Sequence, residues 1–168
     1  GNAARHGIHW CVITDHGSAK HDKVAVEQAY PELLAARKLF PHMFIFQGLE
    51  WNAPDAEHCS VILPATPDEA KTIAEFEALF DERNLSRDNT AADSEEDAVA
   101  GIRYLQKLTP KPLVFANHPA RQGLNSPHEF RACADAGPDV MRGFEGSPGH
   151  HAHAPGTPWP SLRDVPGD

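Results

Sequence analysis

Apolar and polar residues follow one another in blocks along this chain, and the period of the pattern switches several times. Residues 9–14 (HWCVIT) read as a short buried strand. Residues 27–40 are rich in Ala and Leu and read as helical, with Pro31 either interrupting the helix or opening its second part. Residues 43–51 (MFIFQGLEW) and 58–63 (HCSVIL) read as strands. Only a short polar loop separates them, a length that allows direct pairing. Thr66-Pro67-Asp68-Glu69 has the form of a capping box with Pro at the first helical position, and predicts a helix to about residue 82. The polar stretch 83–93 reads as loop.

Ser94 and the acids behind it predict the start of the next helix, which Pro110 and Pro112 stop. Residues 113–116 read as a strand, Ser126-Pro127-His128-Glu129 as a second capping box opening a helix to about residue 136, and 141–145 as a last short strand. The tail 146–168, rich in Pro, Gly and His, has no period and reads as loop. Alternation of strands with helices predicts one α/β domain over 1–168, with a mostly parallel sheet, open or closed into a barrel. Ile13, Phe46, Leu49, Val61, Leu63, Val114 and Phe115 are expected to share one core beneath the strand ends.

Polar residues capable of chemistry sit where the apolar runs stop. The first run ends in Asp15-His16, the second in Glu50; the third begins with His58, the fourth ends in Asn117-His118-Pro119 and the fifth in Glu145. In a parallel sheet strand termini converge on one face, and imidazole with carboxylate is the ligand set of Zn, Mn or Fe. Each residue has a plainer reading. Asp15 and Asn117 suit turns, a buried His is commonly a hydrogen-bonded core residue, and Glu50 can be a strand-end acid. Their joint placement favours an open metal site. His150, His151 and His153 lie in the GHHAHAPG stretch and read as loop histidines, with metal or substrate contact as the alternative.

Composition narrows the partners. The net charge of -9 with no basic stripe disfavours nucleic acid and anionic membrane surfaces. No apolar run has the length of a membrane-spanning helix. Cys11, Cys59 and Cys133 form no C-x-x-C pair and read as buried free thiols, which favours a cytoplasmic setting. The chain opens at Gly1 without an initiator Met, so an upstream secretory leader stays open. Oligomeric state is not legible.

The succession TDHG, GLEW, His58, NHP and GFEG resembles the PHP family, the polymerase and histidinol phosphatase type of metal-dependent phosphoesterase. The resemblance spans most of the chain, from about residue 7 to residue 149. It implies part of a distorted (β/α)7 TIM-like barrel with two or three divalent ions (Zn, Mn or Fe) at the strand ends. It implies hydrolysis of a small-molecule phosphoester by a metal-bound hydroxide. By position, His16, Glu50, His58 and His118 match ligands, Glu50 being the carboxylate that bridges two ions. Asp15 is then expected to orient His16 through its other ring nitrogen and, with Glu50, to serve catalysis. Arg121, three residues past His118, is placed to meet a phosphate oxygen; a surface loop cation is the alternative.

Two departures stand out. The family's opening His-x-His and closing Asp-x-His have no counterpart here at the matching places. The expectation is therefore a partial barrel, incomplete at both ends, whose isolated segment hydrolyses near background. Two other functions compete. One is a binuclear hydrolase of amide or other ester bonds; the other is a non-catalytic scaffold domain of the same kind.

Overall fold

The computed structural model describes residues 2–18, 21–84, 94–119 and 126–145. The elements are α1 (Asn2–Arg5), β1 (Trp10–Ile13), α2 (His21–Val24), a π-helical turn (Ala25–Ala29), α3 (Tyr30–Leu39), β2 (Phe44–Asn52), β3 (His58–Ile62) and α4 (Glu69–Phe80). They continue with α5 (Glu95–Lys107), β4 (Leu113–Ala116), α6 (Pro127–Ala136) and β5 (Met141–Phe144). After β1, helical backbone begins at residue 21, earlier than the apolar pattern indicates. Pro31 falls in the first turn of α3 directly after the π-helical turn, inside continuously helical backbone, where it lacks the N–H for an i→i−4 bond.

Local capping chemistry decides where the later helices start. Ser126 and Glu129 form the expected capping box, and the Ser94 hydroxyl accepts from the Asp97 N–H. The box expected at Thr66 does not form: Asp68 occupies the N-cap position of α4 with no side-chain cap bond, and only the Thr66 carbonyl takes part, accepting from Glu69 N–H.

The five strands make one mixed sheet in the order β1-β2-β3-β4-β5. β1 and β2 are parallel, as are β4 and β5, but β3 runs antiparallel to both its neighbours. The barrel expectation is corrected here. Residues 53–57 are too few for a parallel crossover, which takes a dozen or more residues, so β2 and β3 close as a hairpin. Among the described residues β1 and β5 remain edges, unpaired with each other, and no closed (β/α)7 barrel is formed.

Helices cover one face of the sheet. Leu49, Trp51, Val61, Leu63 and Val114 meet Ile73 and Phe76 of α4 and Ala98, Ile102 and Leu105 of α5 in one buried cluster. Trp51 packs edge-on against Phe76 at 5.1 Å between ring centres, and its indole N–H donates to Phe80 O at 2.8 Å. α3 is tied to α4 by a paired contact of the partly buried Arg37 guanidinium with buried Glu69, and Arg37 Nε also donates to Ile45 O at 2.8 Å. The opposite face carries Val12, Phe46, Glu50, Ser60, Ile62 and Phe115. Of the expected core, Phe46 and Phe115 therefore lie half-buried on this other face, and Ile13 on edge strand β1 is 42% exposed. The three cysteines are free and partly buried. Among the described residues no helix is long and apolar enough to cross a membrane. Arg121 and the tail 146–168, with His150, His151 and His153, lie outside the described residues.

Candidate metal centre

Strand direction puts five chemically active positions on one edge. β1, β2, β4 and β5 end there, and antiparallel β3 begins there. The loop after β1 stays beside β2: Glu50 N–H donates to Asp15 O at 2.9 Å, Gly17 N–H to Glu50 O at 3.1 Å, and His16 bridges to Glu50 in parallel fashion. Across the sheet, Asn117 N–H donates to His58 O at 2.8 Å, and Glu145 N–H to Ala116 O at 2.8 Å. His16, Glu50, His58, His118 and Glu145 thus come from five segments to one place.

The side chains meet around the Glu50 carboxylate. His58 Nδ1 lies 3.6 Å and His118 Nε2 3.5 Å from its Oε1, and the two ring nitrogens are 3.4 Å apart. His16 Nε2 lies 3.6 Å from the other oxygen, Oε2. The ligating atoms of His16, Glu50 and His58 all fall within 4.8 Å of one another. These spacings are long for hydrogen bonds of good geometry. They match donors around an ion: atoms about 2.1 Å from a tetrahedral centre stand about 3.4 Å apart. The Oε1, His58 and His118 triangle has the dimensions of one face of such a tetrahedron, and Oε2 with His16 opens a second direction. Three imidazoles and one carboxylate suit Zn, Mn or Fe. The residues present fit the ions that the resemblance implies.

Further residues shape the group. Asn117 Nδ2 lies 3.4 Å from Glu50 Oε1, while its Oδ1 accepts from the Ser60 hydroxyl at 2.9 Å, which fixes the amide's orientation. Glu57, buried, brings its Oε2 to 3.7 Å from His58 Nδ1. Glu145 Oε2 takes the backbone N–H and Nδ1 of His118, both at 3.0 Å. Asp15 enters through its carbonyl; its side chain is exposed, and no hydrogen bond or ion pair joins it to His16 among the described residues. Neither Ser60 nor Glu57 is singled out by the sequence pattern, though period-two alternation places Ser60 on the face of Glu50.

Two buried acids of the α4 end hold the His16 loop from below. Glu77 accepts Ser18 N–H through Oε1 at 2.9 Å and His21 Nδ1–H through Oε2 at 2.9 Å. That hydrogen bond raises the His21 imidazole above its ordinary range, against the opposing effect of burial. Asp81 accepts Asn52 N–H at 3.0 Å and the Asn52 side-chain amide, whose nitrogen also donates to Gly17 O at 2.9 Å. Burial pushes the Asp81 carboxyl upward, partly offset by these hydrogen bonds. The fit leaves no room at residue 17: a Cβ there would stand 2.1 Å from Asp81 Oδ2. The segments bearing His16 and Glu50 are therefore clamped to one helix.

The site opens into a pocket of about 560 Å³, with Trp10, Val12, Ile62 and Phe115 as apolar wall and His16, Glu50, Asn117, His118 and Glu145 as polar rim. At Gly48 an added Cβ would lie 2.7 Å from Val12 Cγ1 and 2.8 Å from the Val61 carbonyl oxygen, so β2 has no room for a side chain there. No family model, no curated protein and no solved structure matches this chain.

Proposed function

We propose that the protein is a metal-dependent hydrolase acting on a small phosphoester, with divalent ions held by His16, Glu50, His58 and His118. The observation that carries this reading is the ligand-like spacing of three ring nitrogens around both oxygens of one carboxylate. When bound, such ions supply Lewis acidity toward an ester oxygen and toward water. Glu50, with one oxygen toward His16 and the other toward His58 and His118, holds two ligand directions in fixed relation. Asn117, its amide oriented by Ser60, adds a polar contact to that carboxylate at 3.4 Å. The apolar wall of Trp10, Ile62 and Phe115 accepts the organic part of a substrate and excludes water behind it. The resemblance of TDHG, GLEW, His58 and NHP to the PHP family supports a phosphoester over an amide as the bond cleaved.

The test compares p-nitrophenyl phosphate with an amide substrate, in the protein as its gene encodes it, stripped of metal and then reloaded with Zn²⁺ or Mn²⁺. Metal-dependent release from the phosphate alone, lost in Glu50→Gln, is the expected result. Equal rates for wild type and Glu50→Gln end the proposal, and release from the amide alone reassigns the bond.

A further inference from the structure

His118 stands apart from the other imidazoles in how it is held. Its backbone lies at φ +40°, a left-handed conformation that costs energy in a residue with a Cβ. One oxygen, Oε2 of Glu145, receives both its backbone N–H and its ring Nδ1 at 3.0 Å. Glu145 is itself fixed by its N–H bond to Ala116 O just past the end of β5. A carboxylate oxygen only accepts, so the ring must carry its proton on Nδ1. In the neutral imidazole the lone pair then sits on Nε2, the atom facing Glu50 Oε1 and His58 Nδ1.

We propose that Glu145 is a positioning residue that locks His118 in the Nδ1–H tautomer and so turns the Nε2 lone pair toward the metal position beside Glu50 and His58. The inference rests on the metal-centre reading for its purpose, but the tautomer itself is a property of the metal-free protein. Without Glu145 the ring proton can move to Nε2 and donate to Glu50, which would occupy the atom a metal needs. Glu145 lines the pocket as well, so a direct ligand role is the competing assignment.

Two measurements separate these. The first is 15N NMR of the histidine rings without metal at about pH 8, above the ordinary imidazole range. His118 is expected as Nδ1–H in wild type and in Glu145→Gln, whose amide oxygen accepts both bonds, and to shift toward Nε2–H in Glu145→Ala. The second is Zn²⁺ affinity by chelator competition, expected within a few-fold of wild type in Glu145→Gln and 10–100-fold weaker in Glu145→Ala. Nε2–H in the wild type overturns the proposal without any variant. So does an unchanged tautomer in Glu145→Ala. Equal zinc loss in Gln and Ala makes Glu145 a ligand instead. Absence of zinc binding in wild type defeats the metal-centre reading, while the ring spectrum still decides the tautomer.

Discussion

Glu50 Oε1 and His118 Nε2 lie 3.5 Å apart, although β2 and β4 are not neighbours and β3 runs between them. The reversal of β3 makes this possible. Its start, with His58, falls between the ends of the flanking strands, so three consecutive strands deliver ligand atoms to one edge. A mixed sheet reaches the same convergence that a parallel one achieves through crossovers.

Gly17→Ala is expected to destabilise the protein by about 1–3 kcal/mol, because the added methyl overlaps the buried Asp81 carboxylate, which its hydrogen bonds to Asn52 and Arg83 hold in place. Urea unfolding measures it. An unchanged midpoint would mean the clamp is looser than described.

Asp81→Ala should cost more. It removes the acceptor of Asn52 N–H and of partly buried Arg83 N–H, and one of the two acceptors of the Asn52 amide, which keeps Gly17 O, at about 1–3 kcal/mol for each buried donor left orphaned. It should also weaken metal binding by releasing the loop that carries His16. Calorimetry reports the first effect and zinc titration the second; normal stability with normal affinity contradicts both.

His21 gives a pH signature. Its folded pKa lies above the unfolded value of about 6.5, so its contribution is full below that value and is lost as pH rises through the raised pKa. The folded state there binds more protons than the unfolded one, and stability must fall with rising pH. Asp81, also raised, acts with the same sign above the ordinary carboxylate range. His21→Gln should flatten the slope above the unfolded value of about 6.5. Denaturation midpoints at a series of pH values test this, and an identical slope in the variant would remove His21 as its source.

The two faces of the sheet should respond differently to truncation. Phe76→Ala, at a fully buried position, should cost about 3–5 kcal/mol, whereas Trp10→Ala, 61% exposed on the open face, should cost far less. Comparable losses would show that the open face is a core. Burial also pushes the thiols of Cys59 and Cys133 up to about 12 and about 11, so neither should react with a thiol reagent near pH 8 until the protein is unfolded.

Strand and helix positions were legible because periodicity and capping are local. Ser126 and Glu129 announce their helix within four residues. The short loop after Asn52 implied a hairpin, and that implication, carried further, argues against a barrel. The core expectation held for Leu49, Val61, Leu63 and Val114 and failed by parity for Phe46 and Phe115: Phe46 and Leu49 are three apart in one strand, so they face opposite sides. Polar residues at strand ends marked the site edge, and His16, Glu50, His58 and His118 do lie together there. The Glu77 and Asp81 clamp was not legible, since α4 is remote in sequence from the loop it holds, and buried acids look like surface acids in a helix pattern. Glu145 was visible as a strand-end acid, but its link to His118 depends on β5 pairing beside β4.

The central claim is that the Glu50 carboxylate and its three imidazoles form a metal centre. Co²⁺ titration of the stripped protein tests it most directly, followed by the visible d–d bands of the bound ion. The account predicts saturable binding with bands of a low-coordinate nitrogen and oxygen site. It predicts an affinity loss in Glu50→Gln and His58→Ala beyond the 10–100-fold typical of residues behind the ligands, with both variants folded. Binding unaltered in folded Glu50→Gln and His58→Ala, or no saturable binding in wild type, would contradict it.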